Sequence, residues 1–575
     1  MGKRWKAVIL SMILPIIVQL GIYVVWGQFP FGDNSLLIWD MEWQYAPFFA
    51  HLHDILRRDA SALYSFSRAI GGNMFSVAAY YLISPFNLLF YFFDAEHIYI
   101  GILIVTLLKV GASGMSMYCF LCRKKQCFDA ILFSTAYALS AYMVGYQFNL
   151  LWLDALIFLP MVARGIEQII DRGKFVLYTI SISFAIITNF YMGYIICFFS
   201  VLYFLYYFFS ITRRENILKI VTVYGISSVI GGGISAWIAL PTWYVLQRGK
   251  NDISLSVLKD FHTIFSYTDL FDACFAGTVS TEQITDGRPL IYCGVLTLMM
   301  AMCWIVLGKE SLRKRVLYLL LLGFIVLSFN YYNLNCLWHA FNYPVGSPYR
   351  FSFIYIFLLL DIAHKGYHSL LDQQTHNRTK ALIGSGLILI IILIARRNTF
   401  VVRGQKDVLY SNIFLIVSYL WLLLFGRKKK VGMYLVTIVL CLELLFNADQ
   451  LYSSSWQYDS VSVTGYNQYM EEIMPLVEKV KEDRAGARCV ITQHEYRTGN
   501  DPFLFNLYGL DSYTSVEEEK TIWIGKRWGL SSSMLWGIYY ENEIPEAIKA
   551  LLGVKYIISC QDPQREYTTS EKSGR

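Results

Sequence analysis

The sequence predicts a polytopic α-helical membrane protein with a C-terminal extracytoplasmic α/β domain. Of its 575 residues, 56% are hydrophobic and only 16% are charged, with a mean hydropathy of +0.43. A soluble globular protein carries about 25% charged residues. Apolar runs long enough to cross a bilayer recur as far as residue 447, and most of the soluble sequence follows them. This order predicts a membrane domain over residues 1–448.

The apolar runs predict about 13 transmembrane helices of roughly 20 residues each, several of them short. The first is expected to be a retained helix, because its apolar run is long enough to span and no small-residue cleavage site follows. The predicted spans lie at residues 7–26, 98–121, 128–146, 149–165, 175–191, 193–211, 217–245, 290–307, 315–329, 351–366, 381–395, 408–425 and 432–447.

Basic residues near the span ends set the predicted orientation. They precede the first span and then fall on every second loop, so the positive-inside rule places the N-terminus in the cytoplasm and the C-terminal domain outside. One external loop disagrees because it is basic, through Arg396, Arg397, Arg403 and Lys406. Either the span count is wrong near 381–425, or this loop is a basic patch that faces an anionic acceptor, which we prefer.

Three segments complete the predicted organisation. Tyr80–Phe93 is apolar but too short to span, and counting it would invert all later loops, so it is predicted to be re-entrant or interfacial. It lies in a long, structured external loop, residues 27–97. Residues 449–465 are a Ser/Tyr-rich linker. Residues 466–575 then form the α/β domain, with a helix around 470–480 and strands at Arg488–Thr492 and Val554–Ser559.

Charge and cysteine spacing argue against two functional classes. The net charge of +7 lies largely in short loops between spans, and no external basic patch interleaves with stacking aromatic residues, so nucleic acid is not an expected partner. Cys119, Cys122 and Cys127 lie close together but lack a second pair or a nearby histidine. We therefore predict structural or incidental roles for these three cysteines rather than zinc binding.

The strongest functional signal is the hexapeptide Asp40-Met41-Glu42-Trp43-Gln44-Tyr45, just after the first span. Ionisable residues at a membrane boundary are costly and usually functional. Asp40 has a second interpretation as the cap of a helix that begins near residue 41, and Glu42 as a solvated partner. Asp154, about one turn inside a span, is either a site residue or a paired structural acid.

Further polar and aromatic residues collect at span ends on the same predicted face. Transfer of a sugar from an isoprenoid phosphate needs a carboxylate base, arginines for the phosphate and side chains that orient the sugar. Arg350 has the alternative of snorkelling to headgroups, and His339 that of a satisfied histidine in an aromatic cluster. With Asp40, Glu42 and Asp154 as catalytic candidates, the substrate-binding candidates are Gln44, Tyr45, Arg68, Asn73, Tyr81, Asn149, Tyr191, Arg248, His339 and Arg350.

An ordered set of motifs resembles the bacterial YfhO family of membrane proteins. It comprises DMEWQYAPFF from residue 40, GGN from 71, YYLISPFN from 80, WLDALIFLP from 152, NFYMGY from 189, ALPT from 239, WH at 338, PYRFSF from 348 and LLGVKYII from 551. The resemblance implies a GT-C type fold, with Asp40 as the catalytic acid/base and Glu42, Gln44 and Tyr45 beside it. Relatives usually continue to another membrane helix, so we expect a shortened or truncated member.

The expected function is therefore that of a GT-C type, inverting glycosyltransferase. The resemblance implies transfer of a hexose or N-acetylhexosamine from an undecaprenyl-phosphate donor to lipoteichoic or wall teichoic acid in a Gram-positive envelope. Expected partners are this donor, the teichoic-acid-like acceptor, membrane lipid and a separate donor synthase or flippase. No cofactor is assigned, although the three carboxylates leave a divalent cation open. A lipid flippase and a non-catalytic envelope-assembly scaffold are the alternatives.

Overall fold

Helices dominate the computed structural model of the chain. It describes residues 2–123, 128–211, 216–247, 255–279, 287–344, 346–403, 405–425, 430–452, 460–482, 487–492, 496, 498–533, 537–539 and 545–559. The helices of the first part are α1 (Gly2–Val25), α2 (Ala46–Arg57), α3 (Met74–Val77), α4 (Ile98–Leu121), α5 (Asp129–Ala138), α6 (Ala141–Gly145), α7 (Asp154–Arg172), α8 (Val176–Thr188), α9 (Phe190–Ser210), α10 (Ile217–Leu246), α11 (Tyr267–Asp272), α12 (Val295–Leu307), α13 (Leu312–Asn330), α14 (Tyr332–Trp338), α15 (Ser352–Leu371), α16 (Thr375–Ala395), α17 (Arg397–Val402), α18 (Lys406–Phe425) and α19 (Lys430–Tyr452).

Seven helices in the described ranges are long and apolar enough to cross a membrane: α1, α4, α9, α10, α16, α18 and α19. A multi-pass helical membrane protein is thereby confirmed. The other predicted spans also form helices, but these are shorter or carry more charge, as α5, α7, α8, α12, α13 and α15 do. The count of 13 spans is not confirmed and stays a prediction.

The helices pack into one bundle with a continuous apolar core. Its closest helix pairs include α12 with α15, α7 with α8 and α1 with α4. A side chain at Gly366 in α15 would collide with the backbone of Met300 in α12, so this glycine allows the two helices to approach closely. Small residues at such crossings are typical of membrane helix packing.

The predicted re-entrant segment consists of two short helices at a steep angle. A π-helical stretch, Ala78–Leu82, continues α3, and a 3-10 helix covers Pro85–Phe92, with a bend of 106° between the two arms. Ser84 is extended, and Pro85 has no N–H with which to continue the preceding helix. The segment is therefore not one straight span, and its re-entrant position stays a prediction.

The C-terminal part contains the predicted helix and both predicted strands. Its helix α20 (Val463–Glu482) buries Tyr466, Met470, Ile473 and Val477 in the core that includes parts of the loop at residues 27–97. Strands β3 (Arg488–Thr492) and β6 (Val554–Ser559) pair in parallel. The remaining elements are β1 (Tyr64–Ser65), β2 (Gly72–Asn73), β4 (Ser531–Ser533), β5 (Gly537–Tyr539), α21 (Asp501–Leu504), α22 (Glu519–Arg527) and α23 (Glu546–Leu552), with two antiparallel pairs, β1–β2 and β4–β5.

The predicted division into membrane domain, linker and outer domain is less sharp than the sequence suggests. Helix α19 extends into the linker as far as Tyr452, and residues 453–459 lie outside the described ranges. Val461 then pairs with the first loop, since its carbonyl accepts from Ser35 N at 3.1 Å and its N–H donates to Leu37 O at 3.0 Å. The C-terminal part thus packs directly on loop 27–97, and an independent outer domain stays a prediction.

The basic loop that disagrees with the charge rule is neutralised inside the protein. Arg396 binds Asp272 through two bonds of 2.9 and 2.8 Å, and Arg403 binds the same carboxylate at 3.0 Å. Asp269 accepts from both arginines. For these two arginines, the preferred interpretation of a patch for an anionic acceptor is wrong, because acids near α11 already balance their charge.

The charge rule makes a testable prediction of topology. Alkaline phosphatase fused after Ser559 should be active, because the predicted orientation places this end outside and the enzyme folds only there. The same reporter fused after Arg123 should be inactive, whereas a fluorescent protein fused there should fluoresce. Activity at Arg123 together with inactivity at Ser559 would invert the topology.

Candidate active site

Asp40 lies in the loop between α1 and α2, directly after a residue with an unusual backbone conformation. Trp39, the preceding residue, has a φ of 49°, in the left-handed region that non-glycine residues rarely adopt. A π-helical turn, Met41–Tyr45, follows, and Asp40 makes no side-chain capping bond to it. The capping interpretation of Asp40 is therefore wrong. Strained residues and π-helical turns recur at functional sites.

A chain of hydrogen bonds fixes the Asp40 carboxylate. Gln44 Nε2 donates to Asp40 Oδ1 at 2.7 Å, Tyr81 OH donates to Gln44 Oε1 at 2.8 Å, and Ser515 N donates to Tyr81 OH at 2.9 Å. Gln44 and Tyr81 are 3% and 2% exposed, whereas Asp40 is only half-buried. Buried side chains thus hold the carboxylate in place, while part of it remains exposed.

Two more predicted residues form a second support beside it. Tyr45 OH donates to Asn149 Oδ1 at 2.5 Å, and both side chains are buried. The rings of Tyr45 and Tyr81 lie 5.5 Å apart, which connects this pair to the hydrogen-bond chain of Asp40. The structure therefore brings the candidates Asp40, Gln44, Tyr45, Tyr81 and Asn149 together.

Arg350 supplies the positive charge that faces Asp40. Its guanidinium lies over the rings of Trp152 and Tyr191, at 4.8 and 5.0 Å from their centres, and donates to the carbonyls of Gly346 and Ser347 at 3.2 and 3.3 Å. It attracts the Asp40 carboxylate electrostatically, although no direct ion pair joins the two among the described residues. Arg350 is half-buried, so its snorkelling alternative does not explain these contacts.

His339 orients Tyr191 within this group. Tyr191 OH lies 2.5 Å from His339 Nδ1, and His339 Nε2 lies 2.9 Å from Pro348 O. Because a carbonyl only accepts, Nε2 carries the proton and Nδ1 accepts from the tyrosine. Burial, aided by the charge of Arg350, lowers the pKa of His339 to about 3, so the ring stays neutral.

Burial also sets the protonation of the two loop carboxylates. The pKa of Asp40 is raised by burial, and the Gln44 hydrogen bond and the Arg350 charge only partly oppose this. Burial, together with the nearby charge of Asp501, raises the pKa of Glu42 to about 7. A base with a raised pKa is better matched to proton transfer near neutral pH.

Glu42 faces a different surface from Asp40. It lines a small cleft with Ala46, Tyr466 and Thr498, where the first loop meets the C-terminal part. Two residues along a helical turn point in different directions, which explains why the two acids separate. Glu42 is therefore placed to respond to the packing of the C-terminal part.

Asp154 is the paired structural acid of the two interpretations that the sequence left open. Lys109 Nζ donates to Asp154 Oδ2 at 2.7 Å, and Ser84 Oγ donates to Asp154 Oδ1 at 3.0 Å. Lys109 and Asp154 are 0% and 1% exposed. This ion pair links α4, α7 and the bent segment, and its carboxylate is already satisfied.

The structure places two further candidates outside the Asp40 group. Arg68 is 1% exposed and bonds to Asn73 O, Ser76 Oγ and Val516 O, so it fastens the first loop to the C-terminal part. Asn73 caps α3 by accepting from Phe75 N at 2.7 Å. Arg248 lies outside the described residues.

Sequence reasoning missed Lys109, Trp152 and Ser515 as parts of this region. Lys109 had a usable signal, since a lysine in the middle of an apolar run needs a buried partner. Trp152 and Ser515 had none, because a cation–π contact and a backbone N–H leave no pattern. Among the described residues, Asp40, Glu42 and Asp154 do not form a metal-ligand group.

The comparison with known families agrees with these motifs. The family model described as "Bacterial membrane protein YfhO" matches residues 11–573, nearly the whole chain. The chain belongs to the YfhO family. No curated protein sequence matches this YfhO-family chain significantly.

Two solved structures of ArnT from Cupriavidus metallidurans resemble this YfhO-family chain. The one bound to undecaprenyl phosphate has a TM-score of 0.46 and 11% identity, over 90% of this chain and 88% of that chain. The apo structure has a TM-score of 0.42 and 12% identity, over 86% and 84% respectively.

The Lys109–Asp154 pair predicts a strong destabilisation when only one charge is removed. Lys109→Met should lower the free energy of unfolding by about 3–5 kcal/mol, because an unpaired carboxylate would remain buried. Lys109→Met/Asp154→Leu should recover most of this loss. Thermal unfolding of the purified protein in detergent measures both, and equal losses in the single and double variants would contradict the structural role.

The raised pKa of Glu42 predicts that the folded protein becomes less stable as pH rises. Its folded-state pKa of about 7 lies above the ordinary value of 4.5, so the folded protein binds the proton more tightly than the unfolded chain. The native state therefore loses stability as pH rises from about 4.5 to 7. At pH 8, Glu42→Gln should raise the free energy of unfolding by about 1–3 kcal/mol and so raise the melting temperature. At pH 4 it should change both very little. No difference at pH 8 would contradict the shift.

Proposed function

We propose that this protein is a GT-C type membrane glycosyltransferase, with Asp40 as its general base and Arg350 as its phosphate-binding cation. The observation that carries the proposal is a partly exposed carboxylate within electrostatic reach of a partly exposed arginine, without a direct ion pair between them among the described residues. Buried side chains hold both from behind. Such an arrangement suits a reaction that needs a base and an anion-stabilising group on either side of one atom.

The proposed chemistry is a single displacement at the anomeric carbon of a lipid-linked sugar. Asp40 removes the proton of an acceptor hydroxyl, whose oxygen bonds to this carbon while the bond to the phosphate oxygen breaks. The electron pair leaves on the phosphate, and Arg350 stabilises the negative charge. One displacement inverts the anomeric configuration.

Aromatic side chains lie beside Arg350, where the sugar would bind. Tyr191 is half-buried beside Arg350, and Trp152 is packed under it. Tyrosine and tryptophan present flat apolar faces with a polar edge, which suits sugar rings. Tyr45, Gln44 and Asn149 hold Asp40 and its surroundings rather than contact the sugar. We assign Asp154, Arg68, Asn73 and His339 to structural positioning.

The donor and acceptor classes rest on the family resemblance. We propose an undecaprenyl-phosphate donor that carries a hexose or N-acetylhexosamine, and a lipoteichoic or wall teichoic acid acceptor. The predicted topology places Asp40 on the outer face, where such polymers are decorated. A separate synthase or flippase would supply the donor. Neither a metal ion nor another cofactor is assigned to this reaction.

One observation favours the alternative of a lipid-linked-sugar flippase. A cavity of about 200 Å³ lies at the predicted cytoplasmic end, lined by Arg123, Arg164, Glu167, Gln168, Asp171, Arg172, Tyr206, Tyr207, Lys314 and Lys365. A flippase needs a polar site accessible from each face. However, its basic residues are largely engaged by acids, since Arg123 and Arg164 both bind Glu167.

The proposal predicts separate effects for the two loop acids. At equal membrane abundance, Asp40→Asn should reduce sugar transfer by about 10²–10⁴-fold, because the general base is lost. Glu42→Gln, the matched control two residues away, should retain most activity. NMR of teichoic acid extracted from a deletion strain complemented with each variant measures the transferred sugar. Equal decoration by wild type and Asp40→Asn would overturn the assignment and favour the flippase or the scaffold.

The pH profile of sugar transfer tests the electrostatic interaction between Arg350 and Asp40. Transfer should fall as pH drops through the raised pKa of Asp40, because only the ionised carboxylate accepts a proton. Arg350→Gln should reduce transfer by about 10²–10³-fold and move this acidic limb to higher pH, since the arginine holds the Asp40 pKa down. A limb that does not move would show that Arg350 does not act on Asp40.

A further inference from the structure

Two histidines and a carboxylate meet at the far end of the bundle from Arg350. Asp129 is the first residue of α5, and His364 and His368 lie one turn apart near the end of α15, the helix that begins just after Arg350. His364 Nε2 and His368 Nε2 lie 3.2 and 2.9 Å from Asp129 Oδ2, and 3.2 Å from each other. Three ligand atoms from two helices therefore surround one point.

These distances match the edges of a zinc coordination tetrahedron. Zinc binds imidazole nitrogen and carboxylate oxygen at about 2.0–2.2 Å, which places neighbouring ligand atoms about 3.3–3.5 Å apart. The three measured separations lie at or slightly below this value. An ion placed beside these three atoms would lie at bonding distance from all of them after small side-chain shifts, without a change of backbone.

The polar atoms of the cluster are poorly satisfied by one another. Asp129 Oδ2 is buried and meets no hydrogen-bond geometry with either ring. Nε2 of His364 faces Nε2 of His368, where at most one proton fits between the two nitrogens. Three lone pairs that converge on one point are what a cation satisfies.

We propose that Asp129, His364 and His368 form a binding site for a divalent transition-metal ion, with zinc as the best fit. Two imidazoles and one carboxylate are a borderline-soft set that zinc prefers over magnesium or calcium. His368 is 41% exposed, so an ion and a completing water can enter from the solvent. The ion connects the start of α5 to the end of α15, and its site is independent of the Asp40 reaction.

The distance in sequence between the histidines and Asp129 explains why this site was not predicted from the sequence. The spacing His364-x3-His368 places both rings on one helix face, as metal-binding helices do. Asp129 lies more than 230 residues earlier, shortly after three cysteines whose spacing does not indicate a metal site. Among the described residues, the other group of this kind is Asp94, Glu96 and His97, which is fully exposed.

Metal analysis of the purified full-length protein tests the proposal. The protein in detergent is stripped with a chelator, incubated with zinc chloride, desalted and analysed by mass spectrometry of the metal. We expect about one zinc per chain for the wild type and for His97→Ala, the matched control, and a loss of that zinc in His364→Ala/His368→Ala. Equal zinc in the double variant and wild type, or none in the wild type, would overturn the site.

Cobalt provides a readout that needs no variant to fold. Cobalt(II) added to the stripped wild-type protein should give visible absorption bands typical of a four-coordinate site with nitrogen ligands, and zinc should abolish them by displacement. Zinc should also raise the melting temperature of the wild type but not of Asp129→Asn, because an ion that binds only the folded state stabilises it. Only the weak absorption of aqueous cobalt, with no thermal shift, would contradict the proposal.

Discussion

The Asp40 carboxylate depends on a hydrogen-bond chain that ends in the C-terminal backbone. Gln44 and Tyr81 transmit the position of Ser515 to Asp40, so the acid is in place only while the C-terminal part is packed on the first loop. Other bonds hold the same contact closed: Arg488 donates to the carbonyls of Ala69 and Ile70, and Asn500 donates to Trp43 O. The same packing excludes water from Asp40 and so raises its pKa.

Several buried charges inside the bundle have an opposite partner. Lys109 pairs with Asp154, and Arg123 pairs with Glu167 at 2.6 Å and with Asp361 at 3.3 Å. An unpaired charge in a low-dielectric interior is strongly unfavourable. Asp40 and Arg350 attract each other electrostatically without a direct ion pair among the described residues. This incomplete pairing at a half-open position is why we place the chemistry there.

Much of the candidate site could be predicted because its residues are close in sequence or are chemically conspicuous. The hexapeptide at residues 40–45 stands out as acidic and aromatic at a span end, and strands Arg488–Thr492 and Val554–Ser559 have the apolar pattern of buried strands. What failed depended on contacts between distant residues. The pairing of Arg396 with Asp272 follows from packing that no local pattern records.

The central claim is that Arg350, within electrostatic reach of Asp40, binds the phosphate of the donor. A cryo-electron microscopy structure of the full chain with undecaprenyl phosphate tests this most directly. The account predicts phosphate density within hydrogen-bond distance of the Arg350 guanidinium, with the lipid chain leaving toward the membrane. Phosphate bound instead in the basic cavity beside Arg123 and Lys314, with none at Arg350, would contradict it.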